Sequence, residues 1–293
     1  MNWFIIASFS AVLSAAAAIS QKKVLLQLNA FEFSFLSSGA IILFSLFVPF
    51  FYNVTPFHSS TLLIIVGKSI LGGIAFLFVM MSLERNPIST ALPVLGLTPA
   101  ITALVSMVMI GEGLDGWEWL GIVLMMTGVY ILEIRPAQHV LQPFKEILRS
   151  KSYYYLYAAL GLFAMSSVYD KLLVGKYQTD PWVVLFYQHI IYFILFTTFL
   201  FFRKSPILKV VHSGKKHILL IILIALLTIA YRFTQLEATK LAPVALVLAV
   251  KRTSILYASF FGGKFFSDER LLQKIVGAAC IVGAGFLILR NVN

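Results

Sequence analysis

Apolar residues in this chain come in runs long enough to cross a lipid bilayer, and they do so from one end to the other. A helix needs about 20 such residues to span a hydrocarbon core about 30 Å thick. Ten segments reach or approach that length: 2–20, 32–51, 61–83, 88–110, 117–134, 153–174, 182–202, 218–236, 242–263 and 274–290. The breaks carry turn chemistry, as in Asn53-Val-Thr-Pro56, Arg85-Asn-Pro87, Asp180-Pro181 and Arg203-Lys-Ser-Pro206. In lipid every backbone N–H and C=O must be satisfied within the protein, which favours helices for runs of this length. The expected fold class is therefore an all-α integral membrane protein with ten transmembrane helices.

Composition agrees. The chain is 60% hydrophobic and 12% charged, against about 25% charged in a soluble domain. The formal charge of +11 would suggest nucleic acid in a soluble protein. Here the cations lie mostly in loops between apolar runs, so membrane lipid is the expected partner and nucleic acid is not. The single cysteine, Cys280, sits in an apolar run, so no disulfide framework exists. The stretch from Met1 to Leu13 leads into Ala15-Ala16-Ala17-Ala18, which looks like a cleavable signal. No Lys or Arg precedes it, so it reads as a retained helix.

Loop charge predicts a topology. Loops after the first, third, fifth, seventh and ninth segments hold most of the cations, among them Lys22, Lys23, Arg135, Lys145, Arg149, Arg203 and Lys204. The opposite loops and tails hold Lys171, Lys176, Lys240 and Arg290. The positive-inside rule puts the rich side in the cytoplasm and both termini outside a cell membrane.

The longest connection, with Pro136, Pro143 and the basic amphipathic piece Phe144-Lys145-Glu146-Ile147-Leu148-Arg149, splits the chain into halves. We divide it into a first repeat at 1–135, a linker at 136–152 and a second repeat at 153–293. Lys22 and Lys171 close the first helix of each half, and Leu83-Glu84 matches Leu236-Glu237 near the end of the third. Thr98-Pro99 then aligns with Lys251-Arg252, and Glu112 before Gly121 parallels Glu269 before Gly277. Five helices per half is odd, so the second half enters from the opposite side. That is an inverted repeat, a plan in which substrate sites lie near the midplane between halves.

The stretch Ala91-Leu-Pro-Val-Leu-Gly-Leu-Thr-Pro99-Ala, then Ile110-Gly111-Glu112 and Gly121-x6-Gly128, resembles the end of an EamA repeat of the drug/metabolite transporter superfamily. The second half offers Glu269-Arg270 and Gly277-Ala-Ala-Cys-Ile-Val-Gly283, but has Ser267-Asp268 where a Gly is usual and a shortened glycine spacing. The resemblance covers nearly the whole chain. It implies a secondary transporter with a central cavity, the fifth and tenth helices being peripheral. Exporters of lipophilic cations with this ancestry use a buried Glu in the first helix. The segment 2–20 has no acidic residue, which argues against that mechanism.

Lys251 and Arg252 stand side by side within the segment 242–263. Lys251 lies about 13 Å along the helix from Ala242, near the expected midplane. Two exposed cations there cost roughly 5–7 kcal/mol, and no carboxylate lies in the same segment. They must face protein or a wet cavity. We assign them to an anion, with Thr253, Ser254 and Thr98 adding hydroxyls, and Arg252 supplying the fork geometry that suits an oxyanion. The alternatives are pairing with Glu84, Glu237 or backbone carbonyls, and locking their helix against its neighbours. Lys68 and Arg232 are further intramembrane cations that either line the cavity or snorkel to the interface. His189 and Glu237 are candidate proton carriers, with simple packing the alternative for the histidine. Pro93 and Pro99 are candidate helix kinks. Gly121, Gly128, Gly277, Gly283 and Gly285 are expected to let helices pack closely.

No metal, nucleotide or catalytic motif is present in the sequence, so neither a cofactor nor enzymatic activity is expected. The expected function is secondary transport of a small anionic or zwitterionic metabolite by alternating access. The rivals are a broad exporter of amphipathic compounds and a non-transporting scaffold or lipid-binding protein.

Overall fold

Several helix starts are set by polar caps that the sequence carries in its loops. Asn29 accepts from the backbone of Phe31 and Glu32, and Glu32 reaches back to the Asn29 N–H, a reciprocal capping box. Asp115 and Glu118 exchange the same pair of bonds. Asp180 caps Trp182 while Pro181 takes the first helical position, where its missing N–H costs nothing.

The computed structural model describes residues 2–54, 59–85, 95–133, 154–254, 257 and 271–289. The helices are α1 (Asn2–Leu25), α2 (Ala30–Ser45), α3 (Ser59–Arg85), α4 (Thr98–Ile110), α5 (Gly116–Glu133), α6 (Tyr154–Lys171), α7 (Pro181–Phe202), α8 (Ile207–Gly214), α9 (Ile218–Leu241), α10 (Val244–Arg252) and α11 (Leu271–Leu289). A π-helical turn, Leu172–Lys176, follows α6. No strand occurs among the described residues. The linker at 136–152 and Pro93 lie outside them.

Six helical stretches are long and apolar enough to cross a membrane: Asn2–Leu25, Ala30–Phe50, Ser60–Glu84, Tyr154–Lys176, Pro181–Phe202 and Ile207–Leu241. Thr98–Ile110, Gly116–Ile131 and Ala279–Ile288 are shorter apolar helices. Ten full-length spans are thus not seen among the described residues. Of the segment expected at 88–110, residues 95–110 are described; Leu95 is helical, a turn follows, and a helix runs over Thr98–Ile110 with Pro99 in its first turn. The segment expected at 242–263 is described as a helix over Val244–Arg252, with Pro243 before it.

Helix packing is symmetric under exchange of the two halves. The pair α1–α9 corresponds to α3–α6, α1–α10 to α4–α6, and α2–α9 to α3–α7, while α2–α7, α4–α10 and α5–α11 map onto themselves. The lysines matched in sequence also do the same work. Lys22 Nζ donates to the Leu83 carbonyl at the end of α3 (2.7 Å), and Lys171 Nζ donates to the Thr239 carbonyl at the end of α9 (3.0 Å).

The α5–α11 contact lies to one side of this arrangement and rests on glycine. A Cβ on Gly128 would stand 2.8 Å from the Gly277 carbonyl oxygen and 2.8 Å from Ile281 Cγ1. Backbone cannot give way as a flexible side chain can, so this approach needs Gly128. Gly128→Ala is expected to lower thermal stability by about 1–3 kcal/mol through overpacking. Because neither helix contributes to the cavity described below, solute affinity of the folded fraction should not change. Detergent melting alongside ligand binding checks both halves of that expectation.

Candidate functional site

Six helices, α1, α2, α3, α6, α7 and α9, together with the end of α10 and the start of α4, enclose a cavity of about 230 Å³. Its charged walls come from residues far apart in sequence. Asp170 is the next-to-last residue of α6, and successive helical residues point about 100° apart. Asp170 accordingly turns into the bundle while Lys171 turns to the helix ends.

Asp170 is the counter-ion that sequence reading missed. Its Oδ1 accepts from Lys68 Nζ at 2.5 Å and its Oδ2 from Arg232 Nη2 at 2.9 Å. Gln188 Oε1 accepts from the same two cations, at 2.5 Å from Lys68 and 3.1 Å from Arg232. Both carboxylate oxygens are used, and each cation has two acceptors. Lys68 is 0% exposed and Asp170 1%, so neither reaches an interface. The snorkelling alternative for Lys68 does not hold. Helix α3 comes close enough for this because Gly72 sits one turn beyond Lys68. A Cβ there would meet the Tyr192 hydroxyl and Ser166 Oγ, and Ser166 itself donates to the Lys68 carbonyl at 3.0 Å. The network thus ties α3, α6, α7 and α9 together.

The second pair of cations is held differently. Lys251 Nζ donates to Gln235 Oε1 at 2.5 Å and lies 4.4 Å from the Tyr231 ring centroid. Arg252 Nη2 donates to Thr98 Oγ1 at 2.6 Å, and Thr98 passes its own proton to the Leu95 carbonyl. Among the described residues, neither Lys251 nor Arg252 is paired with a carboxylate. The alternative of pairing with Glu84 or Glu237 is corrected accordingly. Glu84 accepts from the Ala30 N–H at the start of α2 (3.0 Å), and Glu237 pairs with Lys240 at 3.0 Å. Both cations lie in the last turn of the described α10, and Ser254 and Tyr257 beyond them are also helical.

Lys251, Arg252, Thr98, Arg232 and His189 all line the cavity, as do Asp170, Gln188 and Gln235. Lys68 is joined to the cavity wall through Asp170. Thr253 is not on that wall; its hydroxyl bonds back to the Val250 carbonyl at 2.8 Å. Glu237 is also off the wall, with a side chain 31% exposed, so the structure gives it no contact with a solute. Glu112, from the loop after α4, accepts from the Val244 N–H at 3.0 Å and stands 3.4 Å from Lys171. It caps α10 across the boundary between the halves, a helix-end role.

The walls are polar and cationic at one end, with aromatic and aliphatic groups such as Phe76, Phe163, Phe196 and Met80 between. Such a space can hold a small solute with a negative group. No His, Cys, Asp or Glu cluster suited to a metal occurs among the described residues.

Comparison with known proteins agrees with this architecture. A protein of known crystal structure superposes with a TM-score of 0.67 at 15% sequence identity, covering 98% of this chain and 96% of the other. At that identity the likeness shows the fold alone. No curated protein matches the chain. The family model for EamA-like transporters matches residues 1–134 and again residues 151–290. Two matched stretches across nearly the whole length make this chain a multi-pass membrane transporter that belongs to the EamA-like transporter family of the drug/metabolite transporter superfamily.

Proposed function

We propose that the chain is a secondary transporter of a small anionic or zwitterionic metabolite in a cell membrane, working by alternating access. The observation that carries this reading is the contrast between two pairs of buried cations. Lys68 and Arg232 share Asp170 and Gln188, whereas Lys251 and Arg252 face the same cavity with only neutral acceptors among the described residues. Intramembrane charge without a counter-ion is costly, and a bound anion removes that cost. Arg252 uses one of its five N–H donors on Thr98, leaving its fork for a carboxylate or phosphate.

The exchange symmetry of the helix pairs and the two matched stretches support repeats at 1–135 and 153–293 joined by a linker at 136–152. Five spans in each would make ten, in inverted orientation, with the cavity between them. The cavity's 230 Å³ falls below the roughly 300–1,000 Å³ of drug-sized sites, which favours a small metabolite over a broad set of amphipathic compounds. The competing role for the cations is to lock α10 to α9 and α4, and the hydrogen bonds to Gln235 and Thr98 favour it. Counterflow in proteoliposomes separates the two. Labelled organic acids or phosphate esters should exchange through the wild type and not through Arg252→Gln. Exchange that is equal in both assigns Arg252 to packing.

The cationic loops place both termini outside. In a Cys280→Ser background, an impermeant thiol reagent added to intact cells should label Asp115→Cys and spare Gln142→Cys. The reverse pattern overturns this orientation.

A further inference from the structure

Two hydroxyls on one wall of the cavity, those of Ser34 and Ser38, have their protons already spent. Ser34, Ser37, Ser38, Ile41 and Ser45 fall on one face of α2 and all are buried. Ser34 Oγ donates to the Ala30 carbonyl (2.7 Å), Ser38 Oγ to Phe35 (2.9 Å) and Ser45 Oγ to Ile41 (3.0 Å). A serine hydroxyl has a single proton. Ser34 and Ser38 line the cavity, and what they have left to offer is lone pairs.

His189 extends that pattern. Its Nδ1 lies 2.6 Å from Ser45 Oγ. The Ser45 hydroxyl also reaches the Ile41 carbonyl at 3.0 Å; in the tautomer where its one proton stays there, Nδ1 is the donor in the contact with Ser45. A neutral imidazole that donates from Nδ1 accepts at Nε2. Nε2 is buried and has no hydrogen-bond partner among the described residues, and His189 lines the cavity. A buried polar atom left in this state awaits a ligand.

We propose that Ser34, Ser38 and His189 form an acceptor subsite, and that the solute is an anion carrying a neutral hydroxyl that donates to it. This rests on the anion reading above. A hydroxyl fits better than an ammonium because the site is already positive. Among the described residues, Lys68, Arg232, Lys251 and Arg252 stand against Asp170 alone, a formal excess of three positive charges, and a further like charge in that field is repelled. The volume sets the scale: 230 Å³ is below the roughly 300–1,000 Å³ of drug-sized sites. That suits a short hydroxylated acid or a small phosphate ester.

The test is equilibrium binding to the purified full chain of matched anions: malate, succinate and aspartate, and glycerol 3-phosphate beside propyl phosphate. The hydroxylated member of each set should bind about tenfold tighter than its deoxy partner, the factor expected of one net hydrogen bond. It should also bind tighter than the amino member. His189→Phe and, as a smaller change, Ser34→Ala should erase or reduce that preference, read within each variant as the ratio of hydroxylated to deoxy affinity. His189→Gln, which can still present an acceptor, should retain part of it. Equal binding of hydroxylated and deoxy members, tighter binding of aspartate, or a preference untouched in both Ser34→Ala and His189→Phe would overturn the subsite and leave the anion reading standing. If no anion in the panel binds, both fall.

Discussion

Replacing Asp170 with alanine is expected to cost about 3–5 kcal/mol of stability, the range for breaking a buried ion pair by removing one partner. The change strands two cations at once. Lys68 is wholly buried and Arg232 is held at the same carboxylate, so Gln188 Oε1 would be their sole shared acceptor. Asp170→Asn keeps the shape and one acceptor oxygen and should cost less. Adding Lys68→Met to Asp170→Asn should recover part of the loss, since a single cation then remains beside Gln188. Coupling of this kind is expected of residues in one network. Melting of the purified variants in detergent reads all three. An Asp170→Ala protein that melts like the wild type would mean that the network does not hold α3, α6, α7 and α9 together.

The second large effect is on binding rather than folding. Lys251→Met and Arg252→Gln each remove a cation with no carboxylate partner among the described residues, so neither strands an opposite charge. Melting should change little. Loss of a desolvated charge contact to a bound anion costs about 2 kcal/mol or more, which is at least about 30-fold in affinity. Arg252→Lys should restore less than a full guanidinium does, because a point charge cannot match two oxyanion lone pairs at once. Unfolding of both variants, or normal binding by both, would assign the pair to helix packing.

The pattern of gains and misses follows from the distances over which each signal acts. Caps and breaks are local, so Asp180-Pro181 and Lys171 at the end of α6 were legible. Close packing at Gly128 was legible because helix association in lipid selects small residues whatever the partner. Asp170 was not. It stands beside Lys171 at a helix end, where an acid–base dipeptide looks like an interfacial pair. Its partners are 102 and 62 residues away. Only the packing of α3, α6 and α9 brings the three groups together, and no spacing rule reports that. The signal that was available is simple: two unexplained intramembrane cations call for an intramembrane acid, and Asp170 is the acid within the apolar segment 153–174. Glu237 misled for the opposite reason. It matched Glu84 in the repeat, but Lys240 three residues on gave it a local partner.

The account stands most directly on whether a small anion binds through Lys251 and Arg252. A thermal-shift series reads this without knowledge of transport direction or coupling, since a ligand that binds only the folded state raises its melting temperature. Purified wild type and the Lys251→Met/Arg252→Gln double variant would be melted with organic acids, phosphate esters, amino acids and lipophilic cations. The account predicts a concentration-dependent rise with at least one anion for the wild type, and none for a double variant that still melts cooperatively. Stabilisation by lipophilic cations with no response to any anion, or an equal anion response in the double variant, would contradict it.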